Sequence, residues 1–199
     1  TTNDIVFEWE ILKKQLAIPT IENTEFIYNG GQHQPTLNGF ASDTMNKQGT
    51  ESAVNAGEYS VTISLRDTQC YEWADGSAKQ VVLDWSIKRR SVDKPTIDPV
   101  VFIYDGKPHR PEISGFRSVA MSMAGYDYNT SAGEYIITIS LSANYEWSEG
   151  ETEPIDLMWV ITENPTEIPT VENLEFEYNG AAHMPHISGF DPDKIVLLG

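Results

Sequence analysis

Asn55-Ala56-Gly57-Glu58-Tyr59-Ser60-Val61-Thr62-Ile63-Ser64-Leu65 is the stretch that decides the fold. Tyr59, Val61, Ile63 and Leu65 alternate with mostly small polar residues, the period of two expected when one face of a strand is buried. The stretch returns as Thr130-Ser131-Ala132-Gly133-Glu134-Tyr135-Ile136-Ile137-Thr138-Ile139-Ser140-Leu141, with Gly57 and Gly133 lying 76 positions apart. Self-similarity at a fixed spacing of this size is the signature of a tandem repeat. The repeated unit is therefore built on a β-strand.

A second motif brackets it. Ile5-Val6-Phe7-Glu8-Trp9-Glu10-Ile11, Val81-Val82-Leu83-Asp84-Trp85-Ser86-Ile87 and Ile155-Asp156-Leu157-Met158-Trp159-Val160-Ile161 each place a Trp between apolar residues two before and two after it. That pattern predicts a final strand with its Trp in the core. Ile18-Pro19-Thr20, Lys94-Pro95-Thr96 and Ile168-Pro169-Thr170 then open the following unit, since proline fixes φ and cannot donate to a ladder. The short polar runs before them predict semi-rigid joints and a jointed rod. The expected domains are 1–17, the final strand of a preceding repeat; 18–93 and 94–167, two complete repeats; and 168–199, the first half of a further one. The chain thus reads as a window from a longer array. Its incomplete terminal repeats are candidates for self-association, because strand edges left unpaired attract a neighbouring chain.

Within a unit, Tyr28-Asn29-Gly30, Tyr104-Asp105-Gly106 and Tyr178-Asn179-Gly180 carry the Asn-Gly or Asp-Gly pair that predicts a type I′ hairpin. Gly39-Phe40, Gly115-Phe116 and Gly189-Phe190 follow, their aromatic rings expected to close one end of the core. His33, His109 and His183 recur five positions after the tyrosine. One such histidine per repeat is too few for a metal or catalytic centre, so a hydrogen-bonded structural role is expected. Thr44–Lys47, Val119–Met123 and Lys194–Leu198 are expected edge strands.

The 199 residues carry a formal net charge of −17 and a single cysteine, Cys70, whose counterpart is Asn144. Like charges repel, so binding to nucleic acid or to an anionic membrane is not expected. One cysteine builds neither an internal disulfide nor a thiolate metal site. No stretch approaches the roughly 20 apolar residues of a membrane span, and residues 1–4 do not resemble a signal peptide, so no membrane insertion is expected. A unit of about 75 residues buries only about 60% of its unfolded surface, which suits a compact β domain.

Tyr71-Glu72-Trp73 and Tyr145-Glu146-Trp147 place two aromatic rings on one face of a strand, where they could stack on a sugar or pack. Tyr71, Trp73, Tyr145 and Trp147 are therefore the candidate ligand-binding residues. No Gly-x-Ser-x-Gly elbow, His-Glu-x-x-His, phosphate-binding glycine loop or calcium-ligand spacing occurs, so no catalytic residue, metal or cofactor is expected.

With Y-[ND]-G, G-F, A-G-E-Y-x-[VI]-T-I-S-L, Y-E-W and W-x-I aligned, the chain resembles the tandem Ig-like, MBG-type repeats of bacterial surface, adhesin-like proteins, also seen in tailed-phage virion proteins. The resemblance covers nearly the whole chain. It implies an all-β fold of tandem small Ig-like β-sandwich repeats of about 75 residues. It also implies a non-catalytic extracellular stalk or adhesin segment at the cell surface, with a glycan or a cell-surface protein as candidate partner. The alternative it implies is a carbohydrate- or protein-binding module of a virion tail or capsid decoration. Pattern alone allows six or seven short strands per unit and leaves a small barrel or a grasp-like sheet open.

Overall fold

The computed structural model describes residues 5, 7–196 and 198; residues 1–4, Val6, Leu197 and Gly199 lie outside the description, and with them part of the expected strands Ile5–Ile11 and Lys194–Leu198. The strands in chain order are β1 (Lys14–Leu16), β2 (Thr20–Glu22), β3 (Glu25–Ile27), β4 (Thr36–Asn38), β5 (Met45–Gly49), β6 (Gly57–Leu65), β7 (Tyr71–Trp73), β8 (Val81–Lys88) and β9 (Arg90–Val92). They continue as β10 (Thr96–Asp98), β11 (Val101–Ile103), β12 (Glu112–Ser114), β13 (Met121–Gly125), β14 (Gly133–Leu141), β15 (Tyr145–Trp147), β16 (Ile155–Thr162), β17 (Thr170–Glu172) and β18 (His186–Ser188). The protein is all-β, with small two- and four-stranded sheets in a sandwich-like fold. Two compact units are distinguished: Thr1–Thr96 with Ser114–Ala124 and Thr138–Asp156, and Ile97–Ile113 with Gly125–Ile137 and Leu157–Gly199.

In the first unit the four-stranded sheet has the order β3-β8-β6-β5. β6 and β8 run antiparallel with Tyr59 opposite Trp85, Val61 opposite Leu83 and Ile63 opposite Val81, so the alternating apolar positions of both strands share one face. Met45, Val61, Ile63, Leu65 and Trp73 form the buried cluster, with Leu16, Leu37 and Phe40 packed against it. Trp85 is 2% exposed, its ring stacked on Tyr59 at 4.8 Å. Its indole N–H, which would be costly to bury without a partner, donates to the Thr50 carbonyl at 2.9 Å.

The same solution recurs, with Gly133 76 positions after Gly57 (133 − 57) and Trp159 74 positions after Trp85 (159 − 85). β13, β14, β16 and β11 form a sheet of order β11-β16-β14-β13. Ile137, Ile139 and Trp159 are buried; Trp159 lies 4.8 Å from Tyr135 and donates its indole N–H to the Tyr126 carbonyl at 2.9 Å. Core-facing tryptophans at Trp85 and Trp159 are thus as expected. So are the edge strands at β5 and β13, and the packing of Phe40 against the core. Each edge strand ends on a glycine at positive φ, +104° at Gly49 and +100° at Gly125. A Cβ there would drive into the carbonyl of Ser60 or Ile136, so this corner admits only glycine.

Three expectations are corrected. Asn29-Gly30 does not turn a hairpin: β3 pairs parallel with β8, while β4 pairs antiparallel with β2. A type I′ turn needs positive φ at both central residues, and only Gly30 has it (+83°); Asn29 instead accepts the Gly31 N–H through Oδ1 at 2.8 Å. Asp105 and Asn179 make the same side-chain turn with the N–H groups of Lys107 and Ala181. Next, residues 7–13 form no strand and Trp9 is 80% exposed. β8 owes its order to β3 on one side and β6 on the other, and among the described residues no strand flanks residues 7–13. Finally, residues 194–196 are turn and irregular backbone, and among the described residues no β14-like strand lies beside them to set an edge.

Candidate functional site

The most constructed polar locus outside the core is the joint around the Tyr-Glu-Trp strands. β9 pairs parallel with β15, placing Arg90 opposite Tyr145, Ser91 opposite Glu146 and Val92 opposite Trp147. β1 pairs with β7 in the same way, Lys14 opposite Tyr71 and Leu16 opposite Trp73. The polar run that leaves β8 is therefore itself a strand, paired beside Tyr145–Trp147.

This burial corrects the sugar-platform expectation. Trp73 is 1% and Trp147 0% exposed. Their indole N–H groups are committed to the carbonyls of Lys79 at 2.7 Å and Glu153 at 2.8 Å. Tyr145 is also buried, its ring meeting Tyr28 edge-on at 5.4 Å, and Tyr71 packs against the core cluster half-buried. The enclosed rings of Trp73, Tyr145 and Trp147 leave no face open for a sugar, and half-buried Tyr71 has no second open ring to pair with it. The structure brings each Tyr and Trp together as joint packing.

Asn144 organises the joint. Its Oδ1 accepts the Ala56 N–H at 2.8 Å, its Nδ2 donates to Asn55 Oδ1 at 3.0 Å, and its backbone carbonyl accepts the Arg90 N–H at 3.0 Å. Arg89 Nε donates to the neighbouring Ala143 carbonyl at 3.1 Å. An amide can accept and donate at once, which is what this position requires to grip the Ala56-Gly57 turn. Lys94 adds ion pairs to Glu149 and Glu151, and the hydrogen bond to Glu149 is the largest cause raising its pKa above the ordinary lysine value. Sequence reasoning noted Asn144 only as the counterpart of Cys70. The partners lie 88 and 89 positions away, beyond any local pattern.

Cys70 keeps the backbone half of this arrangement, its carbonyl accepting the Lys14 N–H at 2.9 Å. Its thiol is exposed, and a hydrogen bond from it to Asp67 holds the pKa above the ordinary thiol value, which disfavours the nucleophilic thiolate.

The recurring histidines sit on phenylalanines, ring centroids 4.8 Å apart for Phe26 and His33, 4.9 Å for Phe102 and His109, and 4.9 Å for Phe176 and His183. His33 and Ala53 exchange backbone hydrogen bonds of 2.8 and 3.0 Å, as do His109 and Asn129 at 2.7 and 3.0 Å. His109 Nε2 also contacts Asp105 Oδ1 at 2.9 Å, whereas His33 Nε2 is buried with no partner among the described residues. Asp105 is held below the usual carboxylate range, first by the Lys107 backbone N–H and then by His109.

A depression of about 700 Å³ lies beside Tyr104, Asp105, Ser131, Glu163 and Lys194. It is broad and open, with no nucleophile paired to a base. Among the described residues no group of three His, Cys, Asp or Glu side chains is placed to hold a metal ion, and no helix is long and apolar enough to cross a membrane. No protein-family model matches the chain, and no curated protein matches it.

Proposed function

We propose that this chain is a non-catalytic structural and attachment segment of an extracellular bacterial surface protein, a spacer assembled from repeated β elements. The observation that carries the reading is the joint. A linker that becomes a strand of the next element, fixed by Asn144, Arg89 and Tyr28, resists hinging in a way that a floppy tether does not. Residues recurring at the repeat spacing serve core, turn and joint, which is what spacing demands and what a catalytic centre does not. The strongly acidic surface keeps such a segment soluble and apart from anionic partners.

Cell-surface placement belongs to the same proposal and rests on the resemblance of the repeats, while a glycan partner belongs to the alternative reading. The test is a glycan array together with turnover assays on polysaccharide and peptide substrates, using the 199-residue chain. Neither saturable glycan binding nor turnover is expected. Turnover abolished by one polar substitution would overturn the spacer reading, and saturable glycan binding without turnover would move the assignment to the virion-type binding module.

A further inference from the structure

The path by which the chain enters and leaves its sheets assigns a mechanical role. Glu25–Ile27 (β3) is the first strand of its sheet and Val81–Lys88 (β8) the last, and they lie side by side in parallel. Glu25 is opposite Ser86, Phe26 opposite Ile87 and Ile27 opposite Lys88. The Ser86 N–H donates to the Thr24 carbonyl at 2.8 Å and the Tyr28 N–H to the Lys88 carbonyl at 2.9 Å, extending the ladder at both ends. In the second unit β11 and the end of β16 repeat this, with Val101 opposite Val160 and Ile103 opposite Thr162. The flanking bonds are Val160 N–H to the Val100 carbonyl and Tyr104 N–H to the Thr162 carbonyl, each 2.9 Å, and the Thr162 hydroxyl donates to the Phe102 carbonyl at 3.1 Å.

Stretching the chain draws the first strand backwards and the last strand forwards. In a parallel pair those pulls run along the strands and across the hydrogen bonds, so all the bonds are loaded together. Had the two strands been antiparallel, the same pull would open the ladder at one end and break the bonds in turn. Side chains oppose slippage as well. Phe26 is held between His33 and the edge of Trp85, centroids 4.8 and 6.0 Å away, and Phe102 between His109 and the edge of Trp159, at 4.9 and 5.8 Å. A slip of one residue would turn either ring out of the core, because side chains alternate between faces.

We propose that these two parallel pairs are shear clamps, and that the chain holds tension between whatever its two ends are attached to. Its biological use rests on the spacer reading above; the clamp itself is a property of the sheets. Neither charge nor ligand is needed, and the recurrence of the same Phe, His and Trp contacts in both sheets is explained by a common demand on register.

Single-molecule force measurement on the full chain, with Cys70→Ser to remove the natural thiol, tests the clamp by moving one handle. Attachment through Glu25→Cys and Lys88→Cys pulls along the pair; attachment through Ile27→Cys and Lys88→Cys pulls two opposed residues apart. All three replaced side chains are exposed. At one constant force the second attachment should open the sheet about tenfold faster or more, the factor for one to two hydrogen bonds of ordinary net strength released singly. Equal lifetimes in the two directions overturn the proposal. Should either variant fail to fold, the pairs Val101→Cys with Thr162→Cys and Ile103→Cys with Thr162→Cys ask the same of the other clamp. Glycan binding or turnover would remove the spacer reading while leaving these lifetimes unchanged, so the two failures are distinguishable.

Discussion

His33 and His109 occupy matching places on matching phenylalanines, yet among the described residues only the Nε2 of His109 has a partner. The cause lies four residues earlier, where Asn29 spends its side chain on the Gly31 N–H alone, while Asp105 bonds both the Lys107 N–H and the imidazole. The sheets' outer faces differ in the same manner. Glu25 and Lys88 pair across the first at 3.2 Å, whereas Val101, Ile103, Ile136 and Met158 are exposed in the second unit. Inside, Trp85 and Trp159 share rings, indole bonds and burial almost atom for atom. Packing density tolerates little change in a core, so the two tryptophan settings are held alike while the polar turns and outer faces around them differ.

That comparison can be broken at its strongest point first. Trp85→Ala and Trp159→Ala should each cost about 3–5 kcal/mol, as large aromatic truncations in a core do. Thermal unfolding of the two variants should shift by similar amounts. A loss at one tryptophan several times that at the other would show that the two cores are not equivalent.

A smaller effect is expected at the joint. Asn144→Ala removes the acceptor for the Ala56 N–H and the donor to Asn55, and should cost about 1–2 kcal/mol for hydrogen bonds of this kind. Hydrogen exchange at the Ala56 amide should accelerate more than at Ile63 in the core. Uniform acceleration at both amides would mean that Asn144 supports the whole fold rather than the joint.

Exchanging the histidine settings gives the sharpest comparison. Asn29→Asp should stabilise the fold near neutral pH by giving His33 a partner, and Asp105→Asn should destabilise it. The Asp105 carboxyl titrates below its ordinary 3.8 in the fold. A depressed folded pKa contributes stability that is present above the unfolded value and lost as pH falls through the folded one. The difference between the natural chain and Asp105→Asn should therefore be full at pH 6 and shrink below pH 3.8. Denaturant midpoints at several pH values measure it, and a difference that grows in acid would contradict the carboxylate account.

Least is expected of the outer faces. Val82→Thr and Ile103→Thr, both at exposed strand positions, should each change stability by no more than about 0.5 kcal/mol. Denaturation curves that move further would show that one of these faces is covered in solution.

The elements most legible in the sequence were those with strict period two. Gly57–Leu65 and the strands carrying Trp85 and Trp159 announced both their conformation and their buried face, because alternation is a local property, whereas the same pattern around Trp9 forms no strand. Asn29-Gly30 misled, since its composition fits a hairpin but the partner of β3 is chosen by the distant Ile87 rather than by the turn. Tyr71, Trp73, Tyr145 and Trp147 were legible as a shared strand face; whether such a face meets water or protein depends on β1 and β9, short polar segments with little periodicity. The Asn144 contacts were out of reach for the same reason, being made between residues with no relation along the chain.

The strand β9 follows the Trp-containing strand of one repeat directly, yet its hydrogen bonds are made to the Tyr-Glu-Trp strand of the next. The covalent period and the folding period are therefore out of phase. A gene duplication or a cloned fragment that begins at the proline of residue 95 would leave Tyr145–Trp147 without its neighbour, whereas one that begins at Arg89 carries the missing strand with it. Copies of this sequence can be multiplied or recombined cleanly only at cuts that respect the second phase, just after the tryptophan strand, where Lys88 gives way to Arg89.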